Sequence, residues 1–190
     1  MFIRMIIGMF EGRYLTRKGP YAKMEKSLDI LLIPALFSCL PAVFFTVSGE
    51  SMLPTLHDGD RLLIYKFMWE PQKGDIITID KSDTLNKNIV KRVIATPGDT
   101  FKIDYDKHEV YVNGKVLQED YINEPTAYRA DGEIPNNYLI TIPEGRVVVL
   151  GDNRNHSADS RYSKIGLVKI NKIYGRAFAI HWPLNRIRLF

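Results

Sequence analysis

The sequence predicts a mainly β domain carried behind one N-terminal transmembrane helix. Three observations predict it: an uncharged apolar run from Ile30 to Val47, a series of short β-type runs after it, and an Asn-Gly pair between two of those runs. The chain has 190 residues, of which 45% are hydrophobic and 25% charged. That composition fits one folded domain plus an appendage and excludes a disordered chain.

In chain order, Met1–Phe10 is apolar apart from Arg4 but too short to span a bilayer. In Ile30–Val47 only Ser38 and Thr46 are clearly polar. As a helix the run spans about 27 Å, just enough for a hydrocarbon core of roughly 30 Å. The alternative is a buried core helix; Pro34 and Pro41 would kink either, which membrane spans tolerate. Arg4, Arg13, Arg17, Lys18, Lys23 and Lys26 precede the run, whereas only Arg61 and Lys66 follow it closely. The positive-inside rule then makes 1–29 a cytoplasmic segment, 30–47 a signal anchor and 48–190 an extracytoplasmic domain. No small-residue cleavage pair follows the run, so the anchor is expected to stay attached. Cys39 is the only cysteine, so no intrachain disulfide forms.

Beyond the run, Arg61–Phe67, Asp75–Asp80, Ile89–Ala95 and Thr100–Asp104 read as strands, with Pro97-Gly98-Asp99 as a turn. Val110–Val112 and Lys115–Leu117 flank Asn113-Gly114, a strong hairpin signal. Leu139–Ile142, Val147–Leu150 and Lys172–Ile180 continue the series, and the polar stretch from Glu119 to Asn137 reads as a long loop. Phe67, Met68 and Trp69 suit either a membrane interface or a core. The net charge of +4 is mild and scattered, which argues against nucleic-acid binding.

Chemistry concentrates in three places. Ser51, in Ser48-Gly49-Glu50-Ser51-Met52-Leu53-Pro54-Thr55-Leu56, stands just past the apolar run. A serine there is either a turn residue or a nucleophile held at the lip of a membrane, and as a nucleophile it needs a base. His57, His108, His156 and His181 are the histidine candidates, each of which also reads as a solvated or turn residue. The other candidate is Lys91, within Ile89-Val90-Lys91-Arg92-Val93-Ile94. A lysine base must be neutral; from an ordinary pKa of about 10.4 that requires burial in apolar company, which Ile89 and Val93 supply on the same face of an alternating strand. A solvated lysine on an edge strand is the alternative. The third place is Gly151-Asp152-Asn153-Arg154-Asn155-His156-Ser157-Ala158-Asp159-Ser160-Arg161, either a hydrogen-bonded turn or a brace that orients a base.

The motifs SGESMLPTL, IVKRVIATPGD and GDNRNHSADSR, in this order and spacing, resemble those of the bacterial type I signal peptidases (peptidase family S26), in the Gram-positive form with a single anchor. The resemblance implies Ser51 as nucleophile, Lys91 as general base and Ser157 as the hydroxyl that holds the lysine amine. It implies bracing ion pairs from Asp152, Asp159, Arg161 and Arg92, and shallow pockets for small side chains from Phe45, Val47, Met52, Leu56 and Val90. One position departs from some members of the family: Gly49 stands where they have a serine that helps form the oxyanion hole. The function implied is a membrane-bound serine endopeptidase that removes signal peptides from exported preproteins by cutting after Ala-X-Ala-type sequences. Its expected partners are preproteins and the lipid bilayer of the cell membrane, with no nucleic acid, no metal, no cofactor and a single copy of the chain. Two competitors remain: a self-cleaving repressor with the same Ser–Lys logic, which needs a DNA-binding module where this chain has its apolar run, and an inactive scaffold, which has no use for Ser51 and Lys91.

Overall fold

Runs rich in β-branched and aromatic residues build the domain as antiparallel strands. The computed structural model describes residues 42–66, 69–80, 88–127 and 134–190. Among these, the strands in chain order are β1 (Ala42–Thr46), β2 (Arg61–Tyr65), β3 (Ile76–Ile79), β4 (Ile89–Ala95), β5 (Thr100–Asp104), β6 (Glu109–Val112), β7 (Lys115–Val116), β8 (Ile140–Thr141), β9 (Arg146–Leu150), β10 (Val168–Lys169), β11 (Ile173–Trp182) and β12 (Arg188–Leu189). The larger sheet has the order β1-β2-β11-β3-β4-β9-β10, with β12 on β11; the smaller has the order β7-β6-β5-β8.

The fold class is mainly β, as the sequence predicts, but the apolar run ends differently. Ala42–Thr46 is an edge strand, with Ala42 opposite Tyr65 and Thr46 opposite Arg61, not the end of a helix. An apolar run bounded by a proline reads the same way for a strand as for a helix, and Val43, Phe44 and Phe45 favour the strand. One of the chain's two compact units runs from Pro41 to Phe190 and so includes this strand. The predicted span at 30–41 and the segments 1–29 and Phe67–Met68 lie outside the described residues. Among the described residues no helix is long and apolar enough to cross a membrane. Trp69 packs against the core cluster of Ile77, Ile79, Ile89, Val93, Val147, Val149 and Val168, which gives it a core role.

Strand β4 lies at the junction of three clusters. Ile89 and Val93 enter the one just named; Val90 joins Val47, Met52, Leu56 and Ile64; and Ile94 joins Phe101, Ile103 and Val148. Each enclosed aliphatic side chain stabilises by about 1.5–3 kcal/mol, so β4 is a rigid platform on which two charged residues can be fixed. Asn113 (φ 52°) and Gly114 (φ 75°) form the predicted β6–β7 turn, both in the left-handed region that a type I′ turn needs. Asn113 Oδ1 accepts the Thr100 N–H at 2.9 Å, and its Nδ2 donates to Asp99 at 2.6 Å.

Asp99 is nearly buried, which raises its carboxyl pKa. Donors from the Thr96 N–H, Asn113, the Thr96 hydroxyl and Lys73 outweigh that and lower it to about 2. A carboxyl depressed in the fold stabilises fully above its unfolded pKa and loses the contribution as pH falls through the folded value. Urea melts should therefore show wild type losing stability relative to Asp99→Asn between about pH 4 and pH 2, with a constant difference above pH 5.

Candidate active site

Ser51 opens the turn after β1 and is half-buried, while Lys91, in the middle of β4, is 3% exposed. Lys91 Nζ and Ser51 Oγ are 2.7 Å apart, and Nζ also donates to the Val90 carbonyl at 2.8 Å. Arg92 pairs with Leu150, the last residue of β9, so Lys91 lies one step further along, where β9 gives way to residues 151–161. β4 is an inner strand between β3 and β9, which disposes of the solvated edge lysine. The histidines are elsewhere. His57 and His108 are exposed, the His156 side chain is 72% exposed and 3.9 Å from Glu124, and His181 packs on the Phe44 ring.

The segment 151–161 is a buried polar frame. Arg161 donates from Nε and Nη2 to the two carboxylate oxygens of Asp159, both at 2.9 Å, and both side chains are fully enclosed. Asp159 also accepts the Gly151 N–H at 3.0 Å, and Arg161 donates to the Arg154 carbonyl. Burial alone would raise the Asp159 carboxyl; the Arg161 charge and hydrogen bond, with donors from Gly151 and Ser157, bring it below its ordinary value. A Cβ on Gly151 would lie 2.2 Å from Ser157 Oγ and 2.5 Å from the Ser51 carbonyl oxygen. Glycine is therefore what lets the frame touch the Ser51 backbone and the buried Ser157 at once.

Two further ties bind the frame to its surroundings. Arg92 grips Asp152 through Nε at 2.8 Å and Nη2 at 2.6 Å, and Thr55, from the Ser51 turn, donates its hydroxyl to the same carboxylate. The Tyr121 ring covers the Arg92 guanidinium at 4.0 Å. Arg154, wholly buried, holds Glu119 through Nη1 at 2.8 Å and through Nη2, and donates to the Thr126 hydroxyl at 2.9 Å. Burial alone would lower the Arg154 pKa, but the bond and charge of Glu119 raise it on balance. Burial, with the Glu119 charge beside it, also raises the Tyr121 hydroxyl.

Every bracing residue predicted from the sequence thus falls in the frame or against it. The apolar set is different: Val47, Met52, Leu56 and Val90 are buried in one cluster, with Phe45 half-buried at its margin. Leu56 and Met52 are both wholly enclosed within it. Sequence reasoning missed Thr55, Asn153, Glu119, Tyr121 and Arg154 as parts of the site. Thr55, Asn153 and Arg154 stand inside the quoted motifs, but Glu119 and Tyr121 carry no signal at all. At Gly49 the structure gives a reason for the departure: its φ of 90° strains any side chain, and its N–H is taken by Asp58 at 2.7 Å.

The fold and site define a mainly β domain in which a serine hydroxyl meets a buried lysine amine. The profile of the family described as signal peptidase, peptidase S26, matches residues 24–182. A signal peptidase I of Bacillus licheniformis is 36% identical, over 95% of this chain and 98% of its own. Signal peptidase IB of Staphylococcus aureus is 33% identical over 84% of this chain and 86% of its own, and a probable signal peptidase I-2 of Synechocystis is 39% identical over 75% and 64%. The chain belongs to the signal peptidase S26 family: it is a peptidase that removes signal peptides from preproteins.

Two outcomes follow from the frame. Arg161→Met strands a buried carboxylate and should cost about 3–5 kcal/mol in a urea melt, with much of it recovered in Asp159→Leu/Arg161→Met. Gly151→Ala must displace the Ser51 backbone and should lower kcat by about 10²-fold or more in a preprotein-cleavage assay.

Proposed function

We propose that Ser51 attacks the scissile carbonyl of the preprotein and that Lys91 is its general base. The observation that carries this is the 2.7 Å approach of Nζ to Oγ by a lysine that is 3% exposed. Desolvation penalises an ammonium more than an amine, so this setting favours the neutral form that can accept the Ser51 proton. As the carbonyl–nitrogen bond breaks, the Lys91 ammonium protonates the departing amine, leaving the signal peptide esterified to Ser51. The freed amine then takes a proton from water as its oxygen attacks the ester carbonyl, and the Lys91 ammonium returns that proton to Ser51 Oγ as the acyl–oxygen bond breaks. Ser157, buried beside Gly151, orients the Lys91 amine. The Ser51 N–H, which has no partner among the described residues, stabilises the tetrahedral oxygen.

The cut follows a small residue, with another small residue two positions earlier. Phe45, half-buried over the cluster of Val47, Met52, Leu56 and Val90, offers an apolar face to these two side chains, and the substrate lies extended along it. The chain acts as one copy at the cell membrane, with residues 42–190 outside. Phe44, Phe178, Trp182, Leu184, Ile187 and Leu189, all strongly exposed on β1, β11, β12 and the turn between the last two, support contact with a bilayer.

Cleavage of a preprotein in detergent tests the dyad. Ser51→Ala and Lys91→Ala should each lose roughly 10³-fold or more in kcat/KM, and His156→Ala should stay near wild type. Near-normal activity in Lys91→Ala, or its loss in His156→Ala alone, contradicts the assignment.

A further inference from the structure

We propose that Asn153 is a positioning residue that aims the oxyanion-binding peptide; this rests on the reading of Ser51 as nucleophile. Asn153 is 4% exposed and sits two residues beyond Gly151 in the frame. Its Nδ2 donates to the Glu50 carbonyl at 3.0 Å, and its backbone N–H donates to the Ser51 carbonyl at 3.1 Å. One residue therefore grips the chain on both sides of the nucleophile.

The first of these bonds matters for chemistry because of what shares its peptide plane. The Glu50 carbonyl and the Ser51 N–H belong to the same planar, trans amide and point in opposite directions. Glu50 O also accepts the Leu53 N–H at 3.1 Å, so both its lone pairs are engaged and the plane is fixed. With the carbonyl held, the Ser51 N–H is aimed at a set point. Hydrogen bonds to the carbonyl also polarise the amide and strengthen its N–H as a donor. The orientation of the Asn153 amide follows from donor chemistry: Oδ1 and Glu50 O are both acceptors, so Nδ2 must be the atom that faces Glu50. Asn153 Oδ1 is buried with no partner among the described residues, so the bond to Glu50 is the side chain's hydrogen bond there. The turn bond from Leu53 is local, whereas the Asn153 bond ties the plane to the frame that carries Ser157 and borders Lys91.

Asn153→Ala and Asn153→Leu, the second close in volume, remove the side-chain donor and keep the backbone N–H. In the detergent-solubilised full chain, each should lower kcat for a short peptide substrate about 10- to 100-fold. KM should stay within about 2-fold, and the basic limb of the pH–rate profile should not move. A peptide aldehyde of the same sequence, whose adduct carries the tetrahedral oxygen, should lose affinity by the same factor. Binding of uncleaved peptide, measured in Ser51→Ala with and without the Asn153 change, should be unaltered. The proposal is overturned if kcat stays within about 2-fold in both variants, if the loss is in KM alone, if the pH limb shifts, if aldehyde affinity is unchanged, or if neither variant folds. Cleavage that survives in Ser51→Ala alone sinks the underlying reading instead.

Discussion

The enclosed Arg161–Asp159 pair is the constraint on which the site depends. Removing two charges from water is costly, and the cost is recovered only when geometry and the remaining hydrogen bonds are nearly complete. Here both carboxylate oxygens are met by the guanidinium, Asp159 accepts the Gly151 N–H and Arg161 donates to the Arg154 carbonyl, which leaves Arg161 Nη1 without a partner among the described residues. These bonds join the two ends of the 151–161 segment and fix its middle. Once the segment is rigid, Gly151 can lie against the Ser51 backbone without a side chain, Asp152 can receive Arg92 and Thr55, and Ser157 is held beside them.

The second half of the site comes from β4. Three clusters converge on this strand, and their burial keeps Lys91 away from water although it sits in the middle of a sheet. Its neighbour Arg92 is paired with Asp152, so two adjacent basic residues serve opposite ends. Arg92 locks the frame to the Ser51 turn through Asp152, and Lys91 approaches the Ser51 hydroxyl. Residues 119–127, a loop by sequence, complete the arrangement by laying Tyr121 over Arg92 and Glu119 against Arg154.

Where local chemistry decides structure, the sequence was legible. Ile89–Ala95 and Thr100–Asp104 are strands at the predicted bounds, and Asn113-Gly114 turns where an Asn-Gly pair must. Ser51, Lys91, Asp152, Ser157, Asp159 and Arg161 were visible because they stand inside dense motifs. Strand β1 was misread, since Ala42–Thr46 continues an apolar run whose periodicity does not separate strand from helix. The two-residue strands β10 and β12 exist only through their partners β9 and β11, so nothing local announces them. Glu119 and Tyr121 were invisible for a related reason: their partners lie 35 and 29 positions away in the chain, and no spacing rule links such residues.

The central claim is that Lys91 activates the Ser51 hydroxyl for acyl transfer. Acid quenching of a preprotein reaction, followed by digestion and mass mapping of the covalent adduct, addresses it directly. The account predicts a signal-peptide ester on the fragment containing Ser51 in wild type, with formation suppressed by roughly 10³-fold in Lys91→Ala. An adduct on another residue, or one that forms on Ser51 at an undiminished rate without Lys91, would contradict it.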